Sequence, residues 1–307
     1  MDIFLQQIVN GLVLGSIYAL VALGYTMVYG ILGLINFAHG DIVMVGALTA
    51  LTLVKALTAR GVPPYLALCA ATAGAAAVCV VLGVVIEKVA YRPLRRAPRL
   101  APLITAIGVS ILIQYSAATV WTKQYLALPQ LFDSGSWPLA GAQVTTVQIA
   151  IFLVACLLMA GLMWLIKKTR TGRAMRATEQ NPDVAGLMGV NVNQVIVITF
   201  VIGSALAAVA GVMVLLYYGI AHYFMGFVLG LKAFTAAVLG GIGSVPGAML
   251  GGLLLGVIES LASGYIGDLT GGVFGSNYRD VFAFLVLVGV LILRPSGLLA
   301  APAAERA

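Results

Sequence analysis

Residues 147–166 read VQIAIFLVACLLMAGLMWLI, twenty consecutive residues without a charged side chain. A helix of about 20 apolar residues spans the hydrocarbon core of a bilayer, because each residue adds about 1.5 Å to its length. Lys167 and Lys168 follow immediately. Basic residues accumulate on the cytoplasmic side of membrane helices, so this stretch predicts a transmembrane helix that ends in the cytoplasm.

The rest of the chain has the same character. Of its 307 residues, 62% are hydrophobic and 9% are charged, whereas soluble domains contain about 25% charged residues. Alternating segments of the kind that form outer-membrane barrels are missing, so helices are left to satisfy the backbone in lipid. The sequence therefore predicts an all-α, polytopic membrane helical bundle, with a single transmembrane domain over residues 1–307. The uncharged stretches are 3–38, 61–86, 100–122, 134–166, 184–231 and 233–258.

Nine apolar segments are predicted to form 8–9 membrane helices. The seventh is short and contains Lys232, so it either spans the membrane or is re-entrant. The N-terminus is outside if all nine span and inside if one is re-entrant. The first segment lacks a basic start and is interpreted as a retained span rather than a signal peptide. The segments are 8–32, 42–57, 65–85, 102–121, 147–166, 194–217, 226–239, 245–261 and 281–293.

Ten of the 17 basic residues lie in two short clusters, which we interpret as cytoplasmic loops rather than as a nucleic-acid surface. The C-terminus, with Arg294 and Arg306, is then also cytoplasmic. Residues 123–146 fall outside and are rich in turn-forming and aromatic residues. The clusters consist of Lys88, Arg92, Arg95, Arg96 and Arg99, and of Lys167, Lys168, Arg170, Arg173 and Arg176.

The chain contains no G-x-x-x-x-G-K-[ST] phosphate-binding loop. It is therefore predicted to be a transport subunit rather than an enzyme, and any ATP hydrolysis is expected on separate chains. His39 and His222 lie far apart in sequence, and no cysteine has metal-ligand spacing. We expect this chain to bind neither a metal nor a cofactor.

A cytoplasmic loop over about 167–193 contains a helix start. Asn181 is suited to cap a helix, Pro182 to its first position, and Asp183 to the positive end of the helix dipole.

An apolar face follows this start. Val184, Leu187 and Met188 have i, i+3, i+4 spacing, and Gly189 or Asn191 can end the helix. Such a short amphipathic helix either docks on a partner protein or lies on lipid headgroups, and physical reasoning alone leaves both open.

Three stretches are distinctive. They are GILGLINFAHGD at 30–41, EQNPDVAGLMGVN at 179–191, and AAVLGGIGSVPGA at 236–248, the last followed by Gly251, Gly252 and Glu259. These stretches resemble the branched-chain amino-acid permeases of ABC importers. Together they sample the beginning, middle and end of the chain in the expected order. Within that family the chain resembles the shorter, LivH-type subunit.

The resemblance implies the fold of a type II ABC importer permease and a multi-pass protein of the bacterial inner membrane. It implies one half of a translocation pathway for branched-chain (hydrophobic) amino acids, formed as a heterodimer with a second, related permease. The further partners would be two cytoplasmic ABC ATPases, which bind ATP and Mg, and a periplasmic amino-acid-binding protein. The implied ATPase-coupling helix contains Glu179, Asn181, Pro182, Asp183, Val184, Leu187, Met188 and Gly189.

Two other functions stay open at this point. The same family includes permeases for urea or short amides. From a different class, an ion-coupled secondary transporter would use Lys232 and Glu259, although no internal repeat supports it.

Polar groups at membrane depth are costly, so each needs an explanation. Asn36, His39 and Asp41 either form a local hydrogen-bond network, with Asp41 capping the helix that begins at Ile42, or act as a gate or pathway. Lys232 and Glu259 either form a structural ion pair or line the pathway.

Two surface features and one glycine motif complete the predictions. An aromatic cluster is either an interfacial belt or the mouth for the binding protein, and three outer aspartates are candidate docking contacts. The four-residue step from Gly247 to Gly251 serves either packing within the chain or a permease–permease interface. The cluster is Tyr217, Tyr218, His222, Tyr223 and Phe224, and the aspartates are Asp133, Asp268 and Asp280.

Overall fold

The computed structural model describes residues 2–95, 97–98, 100–132, 135–139, 141–273, 275 and 278–299. Arg96, Arg99, Asp133 and Arg306, which figured in the sequence predictions, lie outside the described residues. Within them, the helices are α1 (Asp2–Leu32), α2 (His39–Thr58), α3 (Pro64–Val85), α4 (Leu100–Val120), α5 (Thr146–Lys168), α6 (Arg170–Gln180), α7 (Pro182–Leu187), α8 (Val192–Tyr218), α9 (Met225–Gly240), α10 (Val245–Leu269) and α11 (Arg279–Leu293).

The predicted helical membrane bundle is confirmed. All nine predicted segments are helical, and seven helices in the described part of the chain are long and apolar enough to cross a membrane. The apolar helices α9 and α11 are shorter. A π-helical turn, Ile86–Tyr91, and a 3-10 turn, Arg92–Leu94, extend α3.

Two breaks between helices depend on glycine. Gly33 ends α1 with φ of +63°, and its N–H donates to the carbonyl of Tyr29 at 2.7 Å. Gly241 and Gly243, with φ of +107° and +92°, separate α9 from α10. L-residues with a side chain rarely adopt such angles, so glycine is required at these positions.

One compact unit comprises the described residues of Met1–Thr26, Ser134–Leu157 and Lys232–Ala307. Its helices approach closely at glycines, which allow tight helix packing in lipid. Gly256 of α10 lies against the backbone of Gly15 in α1. Gly247 and Gly251 face the α9 backbone at Gly240 and Ala236, so the predicted four-residue step packs within the chain.

The second compact unit comprises the described residues of Met27–Asp133 and Leu158–Leu231. Its centre is formed by α2, α3 and α8, which pack against one another. Gly46 and Gly211 mark the close approach of α2 and α8, and Gly83 lies against Ser204 where α3 meets α8.

Four short strands lie in segments that the sequence indicated only as turns and loops. In the first unit, β2 (Ser136–Leu139) and β3 (Ala142–Thr145) form an antiparallel hairpin. In the second unit, β1 (Leu126–Ala127) pairs with β4 (Ile220–Ala221). Strands of two to four residues are too short for a visible alternation of apolar and polar side chains.

Candidate functional site

The loop after α5 is built from capped helices. Thr169 caps α6, because its hydroxyl accepts a hydrogen bond from the N–H of Gly172 at 3.0 Å. Asn181 then ends α6 and caps α7, with its Oδ1 accepting from the N–H groups of Asp183 at 3.0 Å and Val184 at 3.1 Å. The predicted helix start at Asn181 is confirmed, whereas α6 itself was not predicted.

The apolar face of α7 is exposed. The exposed fractions of Val184, Leu187 and Met188 are 51%, 87% and 80%, while Ala185 is buried against the rest of the unit. Gly189 follows with φ of +84°, as expected of a helix-ending glycine. Apolar side chains exposed together on a rigid element are typical of a surface that binds another molecule.

The C-terminal side of α7 leads directly into a membrane-length helix. Residues 188–191 connect the two, and Asn191 caps α8 by accepting from the N–H of Gln194 at 3.1 Å. Helix α7 is therefore joined to α6 by one residue and to α8 by four.

Glu179, in the last turn of α6, lies beside Gly30 near the end of α1. Partial burial raises the pKa of this carboxyl, and the nearby Arg176 opposes the shift. The ionised form is therefore less favourable in the folded protein than in the unfolded chain.

A pH dependence follows from this shift. An acid with a raised pKa in the folded state adds stability at low pH, and this contribution is lost as the pH rises through the folded pKa. We expect Glu179→Gln to melt slightly higher than wild type at pH 7, and the difference to disappear below the ordinary pKa of glutamate. Thermal unfolding of both proteins in detergent across this range would check it, and a difference that grows on acidification would contradict it.

The polar residues at the start of α2 are all buried, and one prediction about them is wrong. Helix α2 begins at His39, three residues before the predicted start, and no side chain caps it. Asp41 therefore lies inside the first turn, where its carboxylate accepts from Ser110 and, at 3.0 Å, from Gln114 of α4. Asn36 accepts a hydrogen bond from the Tyr91 hydroxyl at 3.1 Å.

The Lys232–Glu259 ion pair is confirmed, with 2.7 Å between Nζ and Oε1. Sequence reasoning missed two further members. The Tyr18 hydroxyl donates to Glu259 Oε2 at 2.8 Å, and Asp280 Oδ1 lies 2.8 Å from Lys232 Nζ. Asp280 was one of three candidate docking contacts, and its carboxylate lies against this lysine. No local sequence pattern joins these four positions, although each is a polar residue in or beside an apolar segment.

The predicted aromatic cluster is present next to β4. The His222 ring stacks on Tyr125 with centroids 4.3 Å apart and contacts Tyr223, while Phe224 contacts Phe227. His222 Nε2 lies 3.0 Å from the carbonyl oxygen of Lys123. These contacts join the segment before α9 to the segment after α4.

The chain is similar to known transport permeases. The sequence model described as branched-chain amino acid transport system / permease component matches residues 7–291. The high-affinity branched-chain amino acid transport system permease protein LivH of Escherichia coli (strain K12) is 45% identical over 309 residues, which cover 99% of this chain and 97% of the relative. Its counterpart BraD of Pseudomonas aeruginosa is 48% identical over 310 residues, with 99% and 98% covered.

A more distant relative extends the comparison. The probable branched-chain amino acid transport permease protein LivH of Methanocaldococcus jannaschii is 28% identical over 308 residues, 97% of this chain and 93% of its own. No solved structure matches the chain. Since the family match and the relatives cover nearly its whole length, the chain belongs to the family of branched-chain amino acid transport system permease components.

Proposed function

We propose that this chain is the membrane-spanning permease subunit of an ABC importer that moves branched-chain amino acids inward across the bacterial inner membrane. The observation that carries the proposal is the exposed apolar face of α7, on a rigid helix fixed between α6 and α8. Membership in the permease family supports docking on an ATPase over adsorption to lipid headgroups. It also disfavours an ion-coupled secondary transporter.

In the proposed complex, this chain contacts three kinds of partner protein. The chain pairs with a second, related permease, its cytoplasmic face meets two ABC ATPases, and its outer face receives a periplasmic amino-acid-binding protein. ATP and Mg bind the ATPases, since this sequence has no phosphate-binding loop. The basic clusters and the C-terminus face the cytoplasm in this arrangement.

Transport proceeds by alternating access between two conformations of the permease pair. Docking of the loaded binding protein outside and closure of the ATPases inside each favour one conformation, because each partner binds the two states with different affinity. Leu187 and Met188 seat in a groove on the ATPase, and α8 carries the resulting movement into the membrane.

The contacts of the buried polar residues separate those with a structural role from the candidate gate or pathway residues. Lys232 and Glu259 hold each other, which supports a structural role for both. Asn36 lies in the break before α2 and His39 is the first residue of α2, and both are proposed as gate residues. Among the described residues, Asp41 meets only neutral donors, so it is the better candidate to receive the ammonium group of a passing substrate.

Uptake by proteoliposomes tests the proposal. The vesicles contain this chain, its partner permease and both ATPases, with binding protein outside and ATP inside. We expect ATP-dependent uptake of leucine that excess isoleucine or valine suppresses. Uptake of urea or a short amide instead of leucine would change the substrate class. Uptake driven by an ion gradient without the ATPases would overturn the proposal.

A further inference from the structure

We propose that Arg95 is a positioning residue, which ties the start of α8 to the end of α3 so that movement of α7 reaches the helix break at residues 33–38. The inference rests on the proposed role of α7 and adds a second element to the transmission. Arg95 lies in the first basic cluster, which was interpreted from its sequence only as part of a cytoplasmic loop.

The Arg95 guanidinium bridges two elements. Its Nη1 donates to Oδ1 of Asn193, the second residue of α8, at 2.6 Å. Its Nη2 donates to Oε1 of Glu87, in the π-helical turn that extends α3. A planar guanidinium can hold two acceptors at fixed angles, which the single ammonium group of lysine does less well.

The ion pair with Glu87 is the stronger of the two Arg95 contacts. The Glu87 side chain is fully buried, and a nearby cation offsets much of the cost of burying a carboxylate. Arg95 supplies that partner with 17% of its side chain exposed. Arg92 is 3.9 Å from the same oxygen but 44% exposed, so solvent weakens its attraction and it contributes little.

The π-helical turn links this bridge to the interior of the unit. Such turns are uncommon and often occur at functional sites. Tyr91, its last residue, packs on Phe200 of α8 with ring centroids 5.6 Å apart. The Tyr91 hydroxyl donates to Asn36 in the break between α1 and α2. The contacts therefore run from the base of α8 through the π-helical turn to the helix break.

The contact with Asn193 distinguishes positioning from simple stabilisation. The charge of Glu87 is already met by Nη2, so the Nη1 contact is not needed to neutralise a buried group. Asn193 is exposed, so Asn193→Ala removes the tie without disturbing the core or the ion pair. A structural role for Arg95 alone predicts no effect of this change on coupling.

The test compares variants of the full transporter in proteoliposomes, with co-purification of the ATPases as the check on assembly. The readout is leucine transported per ATP hydrolysed, together with basal ATPase activity. We expect Asn193→Ala and Arg95→Lys to assemble, to keep basal ATPase activity, and to lower this ratio by about two- to tenfold, the shift that one net hydrogen bond supplies to a two-state equilibrium. Arg92→Ala, the matched control, should equal wild type.

A double variant adds a second readout. If Arg95 acts through Asn193, the Arg95→Lys, Asn193→Ala double variant is no worse than the more severe single variant, because both remove one interaction. Multiplied effects, or a wild-type ratio for Asn193→Ala, would overturn the inference. Full uptake by Leu187→Asp would instead overturn the proposed role of α7, and uptake driven by an ion gradient would overturn the proposed function, so these failures are distinguishable.

Discussion

Replacing Lys232 with methionine is expected to lower the free energy of unfolding by about 3–5 kcal/mol, the range for removing one partner of a buried ion pair. Methionine keeps most of the length of the side chain but leaves Glu259 buried without its cation, which lies 2.7 Å away in the wild type. The Tyr18 hydroxyl would remain as a donor, although a neutral donor cannot replace the charge.

The geometry also predicts a graded series. Glu259→Gln leaves Lys232 paired with Asp280, so it should cost less than Lys232→Met. Asp280→Asn should cost least, because 37% of the Asp280 side chain is exposed and the buried pair stays intact. Exchanging the charges at 232 and 259 restores that pair but places a glutamate beside Asp280, so we expect only partial recovery.

Denaturant titration of the purified variants in mild detergent measures their free energies of unfolding and so tests this order. A Lys232→Met protein as stable as wild type would show that the ion pair contributes nothing to folding. Equal losses for Lys232→Met and Asp280→Asn would contradict the assignment of Glu259 as the main partner.

Gly251→Leu is the second change with a large expected effect, a loss of about 3 kcal/mol, at the upper end for overpacked sites. A Cβ atom at this position would overlap the carbonyl oxygen of Ala236 and the backbone of Gly240. These are helix backbones rather than mobile side chains, so α9 and α10 would have to separate.

Gly161→Leu is the matched control. Gly161 lies within an apolar helix of similar length, and apart from its own helix no described part of the chain lies within 4 Å of the place that a Cβ atom would take. We expect this variant to express and unfold like wild type, while Gly251→Leu gives little folded protein. Similar yields and melting temperatures for the two variants would contradict the close packing of α9 on α10.

Features carried by local sequence were predicted well. The membrane helices were predicted from the apolar segments, because the bilayer requires each span by itself to be apolar and long enough to cross it. Helix α7 was predicted from the cap at Asn181 and from the spacing of Val184, Leu187 and Met188. Both signals are visible in one short stretch of sequence. Lys232 and Glu259 were paired correctly because charge in lipid needs a counter-charge.

Features set by tertiary contacts were missed. Asp41 resembles a cap in sequence, but helix α2 starts earlier and its carboxylate bonds to α4, about 70 residues away. Arg95 was assigned to topology alone, because its partners Glu87 and Asn193 are recognisable only once α3 and α8 pack together.

In the proposed mechanism, α7 couples this permease to an ATPase during amino-acid import. Radiolabelled leucine uptake into proteoliposomes that carry the complete transporter, with the wild-type chain or Leu187→Asp, tests this coupling. Leu187 is 87% exposed, so the change should leave the fold intact while placing a charge in an apolar contact. We expect ATP-dependent uptake by wild type and its loss in an assembled Leu187→Asp complex; undiminished uptake by that complex would contradict coupling through α7.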